Sequence, residues 1–372
     1  MSKTVKVKTI RQASSYAIHI GSGTLSAIAD RITASDIHPR RVAIISNPTI
    51  FGLYGREVSA KVRRAGYKSF SHLIGDGEKY KNQRTLDQIL MFLANNGFSR
   101  TDLVIALGGG VVGDVAGFAA SVYLRGIPLI QIPTTLLSMI DSSVGGKTGI
   151  NTVHGKNLVG TFYQPSAVVI DTNVLATIPG REITAGFCEA IKQGAIGGKR
   201  LFGLTEDVIS TGLPHPDLEG FLAEHVKFKA SIVAGDERET VGNSSPRSRK
   251  ILNFGHTFAH AIEKLTKYRR FKHGEAVGHG IIFASNLSKK LELIPEDEVK
   301  LLNDVVHRSG RLPTLHGLDP SEILETFNFD KKNIGSSLQW VLLGGIGKPM
   351  VVDGTQIPKP ILKRTISEIL ND

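Results

Sequence analysis

Short apolar runs alternate with helical periods along the first half of the chain. The run Arg41–Ser46 (RVAIIS) predicts a buried strand, and the spacing of apolar residues after it predicts a helix over 54–65. A strand over 68–72, a helix over 83–96, a strand over 102–107, a glycine turn and a helix over 112–123 continue the alternation. Strands over 128–132 and Ala167–Asp171 complete it. Such alternation implies a mostly parallel sheet covered on both faces. After Ile178-Pro179-Gly180 the β-branched runs thin out and helical periods dominate, over 182–200, 218–234, 251–266, 275–293, 296–309 and 320–326. Residues 338–343 and 350–353 predict one small hairpin. The expected fold class is an α/β domain over 1–180 followed by a mainly α-helical domain over 181–372, without internal repeats. Residues 241–248 (VGNSSPRS) have loop composition and read as a mobile insertion, not a linker.

Composition narrows the class. At 372 residues, 41% hydrophobic and 21% charged, the chain buries a sizeable core and exceeds one average compact unit. The opening MSKTVKVKTI runs into polar RQASSY where a signal peptide needs an apolar stretch of roughly 7–15 residues, so no export signal is expected. No run of roughly 18 or more apolar residues occurs, which argues against a membrane partner. Cys188 is the one cysteine and cannot form an internal disulfide, in keeping with a reducing, cytoplasmic location. The formal charge of +11 suits either nucleic acid or an anionic small molecule. The basic residues are scattered and lack interleaved aromatics, which argues against nucleic acid.

Three regions carry candidate chemistry. Gly108-Gly109-Gly110-Val111-Val112-Gly113-Asp114 follows a predicted strand and opens a predicted helix, the context in which backbone amides and a helix N-terminus receive a pyrophosphate. The same glycines also suit tight strand-to-helix packing. The turn follows a later strand than in the usual dinucleotide fold, so the domain reads as a Rossmann-like variant. His256-Thr-Phe-Ala-His260 places two imidazoles on one helix face, and Lys272-His273-Gly274-Glu275 opens the next predicted helix. A metal fits this grouping, although H-E-x-x-H is absent and zincin-type hydrolysis is unsupported. Glu189 is a candidate carboxylate partner, and Lys192 on its face makes equal sense as a helix ion pair. The stretch from Thr134 and Thr135 through Asp141 and Lys147 to Lys156 and Asn157 suits a polar, anionic ligand.

Taken together, the segments 75–81, 107–123, 133–165, 189–194 and 253–275 resemble the 3-dehydroquinate synthase family of sugar phosphate cyclases. The resemblance implies an NAD-binding α/β domain, a helical metal domain and a site between them. It implies that Glu78, Lys81, Gly109, Gly110, Val111, Asp114, Thr134 and Thr135 hold NAD, with Asn47 near the adenosine end. It implies zinc, with cobalt as an alternative, on Glu189, His256 and His273. Two neutral imidazoles and one carboxylate leave coordination positions open for substrate hydroxyls. By the same resemblance Arg125, Asp141, Lys147, Lys156, Asn157, Lys192, Lys229, Arg249, Asn253 and His260 surround the substrate, and Glu239 with His260 forms the proton-transfer pair. A homodimer with Arg125 crossing the interface is implied as well.

The activity so implied converts 3-deoxy-D-arabino-heptulosonate 7-phosphate to 3-dehydroquinate and phosphate, on the route to aromatic amino acids. Transient oxidation by NAD, β-elimination, re-reduction and an aldol closure make it a lyase. A substrate with both phosphate and carboxylate accounts for the cationic surplus. Another sugar phosphate cyclase and a metal-dependent polyol dehydrogenase are the alternative readings. Two departures from the family pattern stand out. Nine residues separate Glu239 from Arg249, a longer spacing than the family's, so that Arg247 competes for the place of the substrate arginine. Ser46-Asn47-Pro48 stands where the family commonly carries an acidic residue near the cofactor ribose.

Overall fold

The computed structural model describes residues 15–34, 37–240, 245, 248–334 and 338–371. Its main sheet has six parallel strands in the order β1-β8-β5-β4-β2-β3. These are β1 (Ala17–Gly21), β2 (Arg41–Ser46), β3 (Lys68–Leu73), β4 (Leu103–Gly108), β5 (Leu129–Pro133) and β8 (Ala167–Asp171). β4, β5 and β8 are buried along their whole length, as covered parallel strands are. One face packs under α1 (Ile28–Ala34) and α3 (Arg56–Arg64), the latter entered through α2 (Pro48–Ile50) and a wide turn over Phe51–Gly55. The other packs under α4 (Gln83–Asn95) and α5 (Gly110–Val122).

β2 and β8 have the limits expected from their apolar runs. The antiparallel hairpin of β6 (Lys147–Thr152) and β7 (Gly155–Phe162) is an addition, lying against α5. Its glycines and polar residues give no continuous apolar run to read.

The helical part contains α6 (Gly180–Gly197), α7 (Lys199–Thr211), α8 (Leu218–Gly235), α9 (His256–Leu265), α10 (His273–Lys290), α11 (Glu296–Arg308), α12 (Pro320–Ile334) and α13 (Lys359–Asn371). β9 (Gln339–Leu343) and β10 (Pro349–Asp353) form the expected small hairpin. The helix expected over 320–326 runs on to Ile334, α13 and most of α7 were not expected, and two further helices depart from their predicted limits. The one expected over 182–200 stops at Gly197 because Gly198, at φ 115°, turns the chain into α7. The one expected over 251–266 is split into a 3-10 turn, Arg249–Asn253, and α9, because Gly255 adopts φ 77°. Apolar periodicity runs on through that glycine and conceals the break.

The split also lets two helices approach closely. A Cβ on Gly255 would stand 2.9 Å from the Gly280 carbonyl carbon, and one on Gly280 would meet the Gly255 carbonyl oxygen. α9 and α10 therefore cross where neither can carry a side chain, and their imidazoles face one another. Among the described residues no helix is long and apolar enough to cross a membrane. The inserted segment read from composition falls mostly outside the described residues, and Arg247 lies outside them.

Candidate active site

Three helices bring Glu189, His256 and His273 together. Glu189, on α6, is fully buried, and neither of its carboxylate oxygens has a hydrogen-bond partner. Lys192 Nζ lies 2.5 Å from Oε2 as an ion pair. Oε1 faces His256 Nε2 at 3.9 Å and His273 Nε2 at 3.6 Å. The three ligand atoms lie within 4.8 Å of one another. An anionic carboxylate left buried without hydrogen bonds is costly, and two imidazole nitrogens converge on it. That donor set fits a divalent metal of the zinc class.

The opposite edges of both rings are held as a metal ligand requires. His256 Nδ1 donates to the Phe254 carbonyl at 3.1 Å, leaving Nε2 free. His273 Nδ1 lies 3.3 Å from Glu263 Oε2. Such partners fix the tautomer and the ring orientation. Burial and the ammonium of Lys192 hold the His256 pKa well below its usual value. Burial also depresses His273, but the carboxylates of Glu263 and Glu189 outweigh it and raise the pKa. His260 projects from α9 between these rings and the solvent side, its centroid 5.5 Å from His256 and 6.0 Å from His273. Although His260 reaches the surface, the crowding of its ring by protein and the neighbouring His273 lower its pKa to about 4, so it is neutral near pH 7. The pair suggested by spacing alone, His256 with His260, thus separates into one ring facing Glu189 and one neutral neighbour beside Glu263 and His273.

A second group forms around Asp141, in the wide turn Ser138–Ser142 that follows β5. Lys229 Nζ stands 2.9 Å from Asp141 Oδ1 and donates to its carbonyl oxygen, while Lys192 Nζ is 3.9 Å from Oδ1. Burial works to raise the Asp141 pKa, yet Lys229 and Lys192 overcome it and hold the carboxylate ionised. The same burial lowers Lys229 to about 8 despite Asp141.

Lys147 pairs with Glu239, whose Oε1 accepts from Asn253 Nδ2 at 3.2 Å. Glu239 sits at φ 51°, a left-handed conformation uncommon for glutamate and frequent at working sites. Arg249 is buried, and its Nη1 donates to the carbonyls of Gly145 at 3.0 Å and Glu237 at 2.7 Å.

At the C-terminal ends of β2, β4 and β5, Lys81 Nζ lies 2.5 Å from Asp114 Oδ2 and 2.5 Å from Asn157 Oδ1. Burial opposes the Lys81 charge, but Asp114 and Glu78 raise its pKa and keep it protonated. Glu78 accepts from Asn151 Nδ2 at 2.7 Å. Lys156 joins the two halves, 3.6 Å from Glu78 and 2.9 Å from Glu263. The first turn of α5, with Gly110 and Val111, has no side-chain cap on its amides. A Cβ on Gly109 would press on Thr135 at 3.2 Å, and the buried Thr134 hydroxyl has no partner. An uncapped helix start, an open glycine approach and an orphaned hydroxyl fit a dinucleotide pyrophosphate. Asn47 caps the turn after β2 and donates to Asp76 Oδ1 at 3.0 Å, so a carboxylate does stand at this edge.

Arg125 stands apart. It ends the turn beyond α5, three residues after Val122; the eight residues from Asp114 to Val122 alone span about 12 Å of helix at roughly 1.5 Å per residue. Among the described residues no hydrogen bond or ion pair joins it to the groups above. Glu263 and Asn151 escaped the sequence reading. A signal for Glu263 existed, since it follows His256 by seven positions and His260 by three on one helical face.

Comparison with known proteins agrees with this arrangement. The N-terminal profile of 3-dehydroquinate synthase matches residues 71–185 and the C-terminal profile matches 186–333. A 3-dehydroquinate synthase of Thermodesulfovibrio yellowstonii is 40% identical over 360 residues, covering 95% of this chain and 97% of that protein. Among solved structures, the 2-epi-5-epi-valiolone synthase of Streptomyces hygroscopicus subsp. jinggangensis, with NAD+ and Zn2+ bound, is 26% identical at a TM-score of 0.87, covering 98% of this chain and 99% of that one. A 2-deoxy-scyllo-inosose synthase complexed with carbaglucose-6-phosphate, NAD+ and Co2+ is 27% identical at 0.82, covering 94% and 96%.

Proposed function

The chain belongs to the 3-dehydroquinate synthase family, and we propose that it performs that reaction, converting 3-deoxy-D-arabino-heptulosonate 7-phosphate to 3-dehydroquinate and phosphate. The observation that carries the reading is the gathering of Lys147, Lys156, Lys192, Lys229 and Arg249 among the side chains that surround the Glu189, His256 and His273 cluster. A neutral polyol needs no such set; a substrate with phosphate at one end and carboxylate at the other does.

Glu189, His256 and His273 would hold zinc, and the glycine turn with Asp114, Lys81, Thr134 and Thr135 would hold NAD. When bound, zinc supplies Lewis acidity to a substrate hydroxyl and NAD a reversible hydride acceptor. The remaining work belongs to side chains. Lys192, kept protonated between Glu189 and Asp141, orients substrate oxygen beside the cluster. Neutral His260 is available to accept a proton, and Glu239, fixed by Asn253 and Lys147, forms the other half of the proton-transfer pair. Lys147, Lys156 and Arg249 bind the anionic ends, and Asn157, positioned by Lys81, completes the wall toward the cofactor.

The distance of Arg125 from this cluster supports a homodimer in which each copy lends that arginine to its partner. Exposed apolar Val122, Leu124, Leu158 and Val159, on the same helix end and hairpin, give the dimer a surface to bury. A cytoplasmic location accords with a lone, buried Cys188 whose thiol pKa is pushed up to about 12 by burial.

The test is to follow phosphate release and carbocyclic product with the heptulosonate phosphate and with heptulose 7-phosphate, which lacks the acid. A site whose polar groups are placed to hold the acid should disfavour the second by orders of magnitude. Equal efficiency on both would assign the chain to a sister cyclase.

A further inference from the structure

The Asp141 turn is held from behind by a line of buried polar side chains that contacts none of the groups above except through the backbone. Gln193, on α6, donates from Nε2 to the carbonyl of Ile140 at 3.0 Å, one residue before Asp141. Its Oε1 lies 3.0 Å from His225 Nδ1, on α8 one turn before Lys229. His225 Nε2 lies 3.1 Å from Thr205 Oγ1, on α7. All three side chains are fully buried, among Phe221, Phe202, Ile196 and Leu222.

The bonding fixes the Gln193 amide and the His225 tautomer. A carbonyl only accepts, so the Gln193 amide must turn its N–H to Ile140 and its oxygen to His225. His225 then carries its hydrogen on Nδ1, and its Nε2 and the Leu201 carbonyl, 2.8 Å from Thr205 Oγ1, share the single hydrogen of the Thr205 hydroxyl. Burial keeps the ring neutral, its pKa lowered to about 3. The edge of Phe221, 4.6 Å away between centroids, and the packing of three helices leave the ring one position.

Apolar residues would fill this space at less desolvation cost, so a polar line here calls for another account. We propose that Gln193 and His225 are positioning residues for the reaction, fixing through the Ile140 carbonyl where the Asp141 carboxylate stands against Lys229 and Lys192. Two consequences of geometry support it. Lys229 and His225 share α8 and Lys192 and Gln193 share α6, so one line of bonds sets both ammonium-bearing helices against the turn they grip. The turn is also a wide one, with no strand or long helix to hold its height. A misplacement of a site group by an ångström suffices to slow a reaction about 100-fold.

This inference rests on the proposed activity. Turnover by the wild-type protein tests that reading, and the ratio of variant to wild type tests this one. The variants are Gln193→Leu, His225→Leu and His225→Asn, assayed for kcat and KM at a temperature where circular dichroism finds each folded, with bound zinc measured. Both leucine variants should lose about 10- to 100-fold in kcat while retaining zinc. His225→Asn, whose amide N–H can stand where Nδ1–H stood, should recover most of kcat although its melting temperature falls as His225→Leu does. A merely structural role would make activity follow stability, with Asn and Leu alike. Folded leucine variants with wild-type kcat, or an asparagine variant as slow as the leucine one, would overturn the proposal. If the single leucine variants do not fold, the double variant, which removes both members of the buried pair together, carries the same expectation.

Discussion

Nδ1 of His273 lies 3.3 Å from Glu263 Oε2, while Nε2 of the same ring lies 3.6 Å from Glu189 Oε1. One ring is thus held between two carboxylates, and Glu263 decides which nitrogen is offered inward. Lys156, 2.9 Å from Glu263, keeps that carboxylate in place from the cofactor side. Glu263→Gln should weaken zinc binding by about 10- to 100-fold, since a neutral amide neither orients the ring nor raises its basicity as a carboxylate does. Competition between apo-protein and a chromophoric chelator measures this directly. An unchanged zinc affinity would remove Glu263 from the support of the cluster.

Lys229 gives the site a dependence on pH with a definite sign. Burial lowers its pKa to about 8, and Asp141 alone does not restore it. As pH rises through that value the ammonium becomes neutral, the attraction for an anionic substrate falls, and kcat/KM should decline. The profile of kcat/KM reports groups of the free enzyme. In Lys229→Arg the guanidinium stays charged throughout the range, so the alkaline limb should move to higher pH. A limb left in place by this substitution would belong to another group.

The cofactor side is tested through Asp114. Its Oδ2 is 2.5 Å from Lys81 Nζ, and Lys81 in turn holds Asn157. Asp114→Ala would remove the ion-pair partner of a buried ammonium and leave it only the longer-range charge of Glu78. NAD affinity, read by fluorescence titration, should fall, and Asn157 should lose its fixed position. With wild-type protein, activity should require NAD while no NADH accumulates in solution. Stoichiometric NADH appearing with product would point to a dehydrogenase instead.

The fold was legible in the sequence wherever burial is uniform. β2 and β8 are unbroken apolar runs because both faces are covered, and their limits were read without error. The β6–β7 hairpin was not legible, because its residues answer to the cofactor side and to α5 and not to a core stripe. The site was legible in part. Spacing alone placed His256 and His260 on one face, but only the crossing of α9 with α10 brings His273 to Glu189 and leaves His260 beside it. Glu263, Gln193 and His225 read as ordinary polar residues of helices, since what sets them apart is the partner each meets across a helix contact.

That crossing is the most sensitive point of the architecture. Gly280 faces the Gly255 carbonyl, and Gly255, at φ 77°, both ends the 3-10 turn and starts α9 one residue before His256. In Gly280→Ala the new methyl would meet backbone, which cannot rotate away as a side chain could. The expected cost is about 1–3 kcal/mol from overpacking, read as a lower urea midpoint at an unchanged slope. Because α9 must shift to admit the methyl, His256 should move away from Glu189 and His273. Zinc affinity should therefore fall in Gly280→Ala along with stability. Ser285→Ala serves as the comparison, since Ser285 lies on the same helix and its hydroxyl bonds only Ile282 and Asn303. It should lose stability without losing zinc affinity. If Gly280→Ala bound zinc as tightly as wild type, the α9–α10 crossing would not be what brings His256 to the cluster.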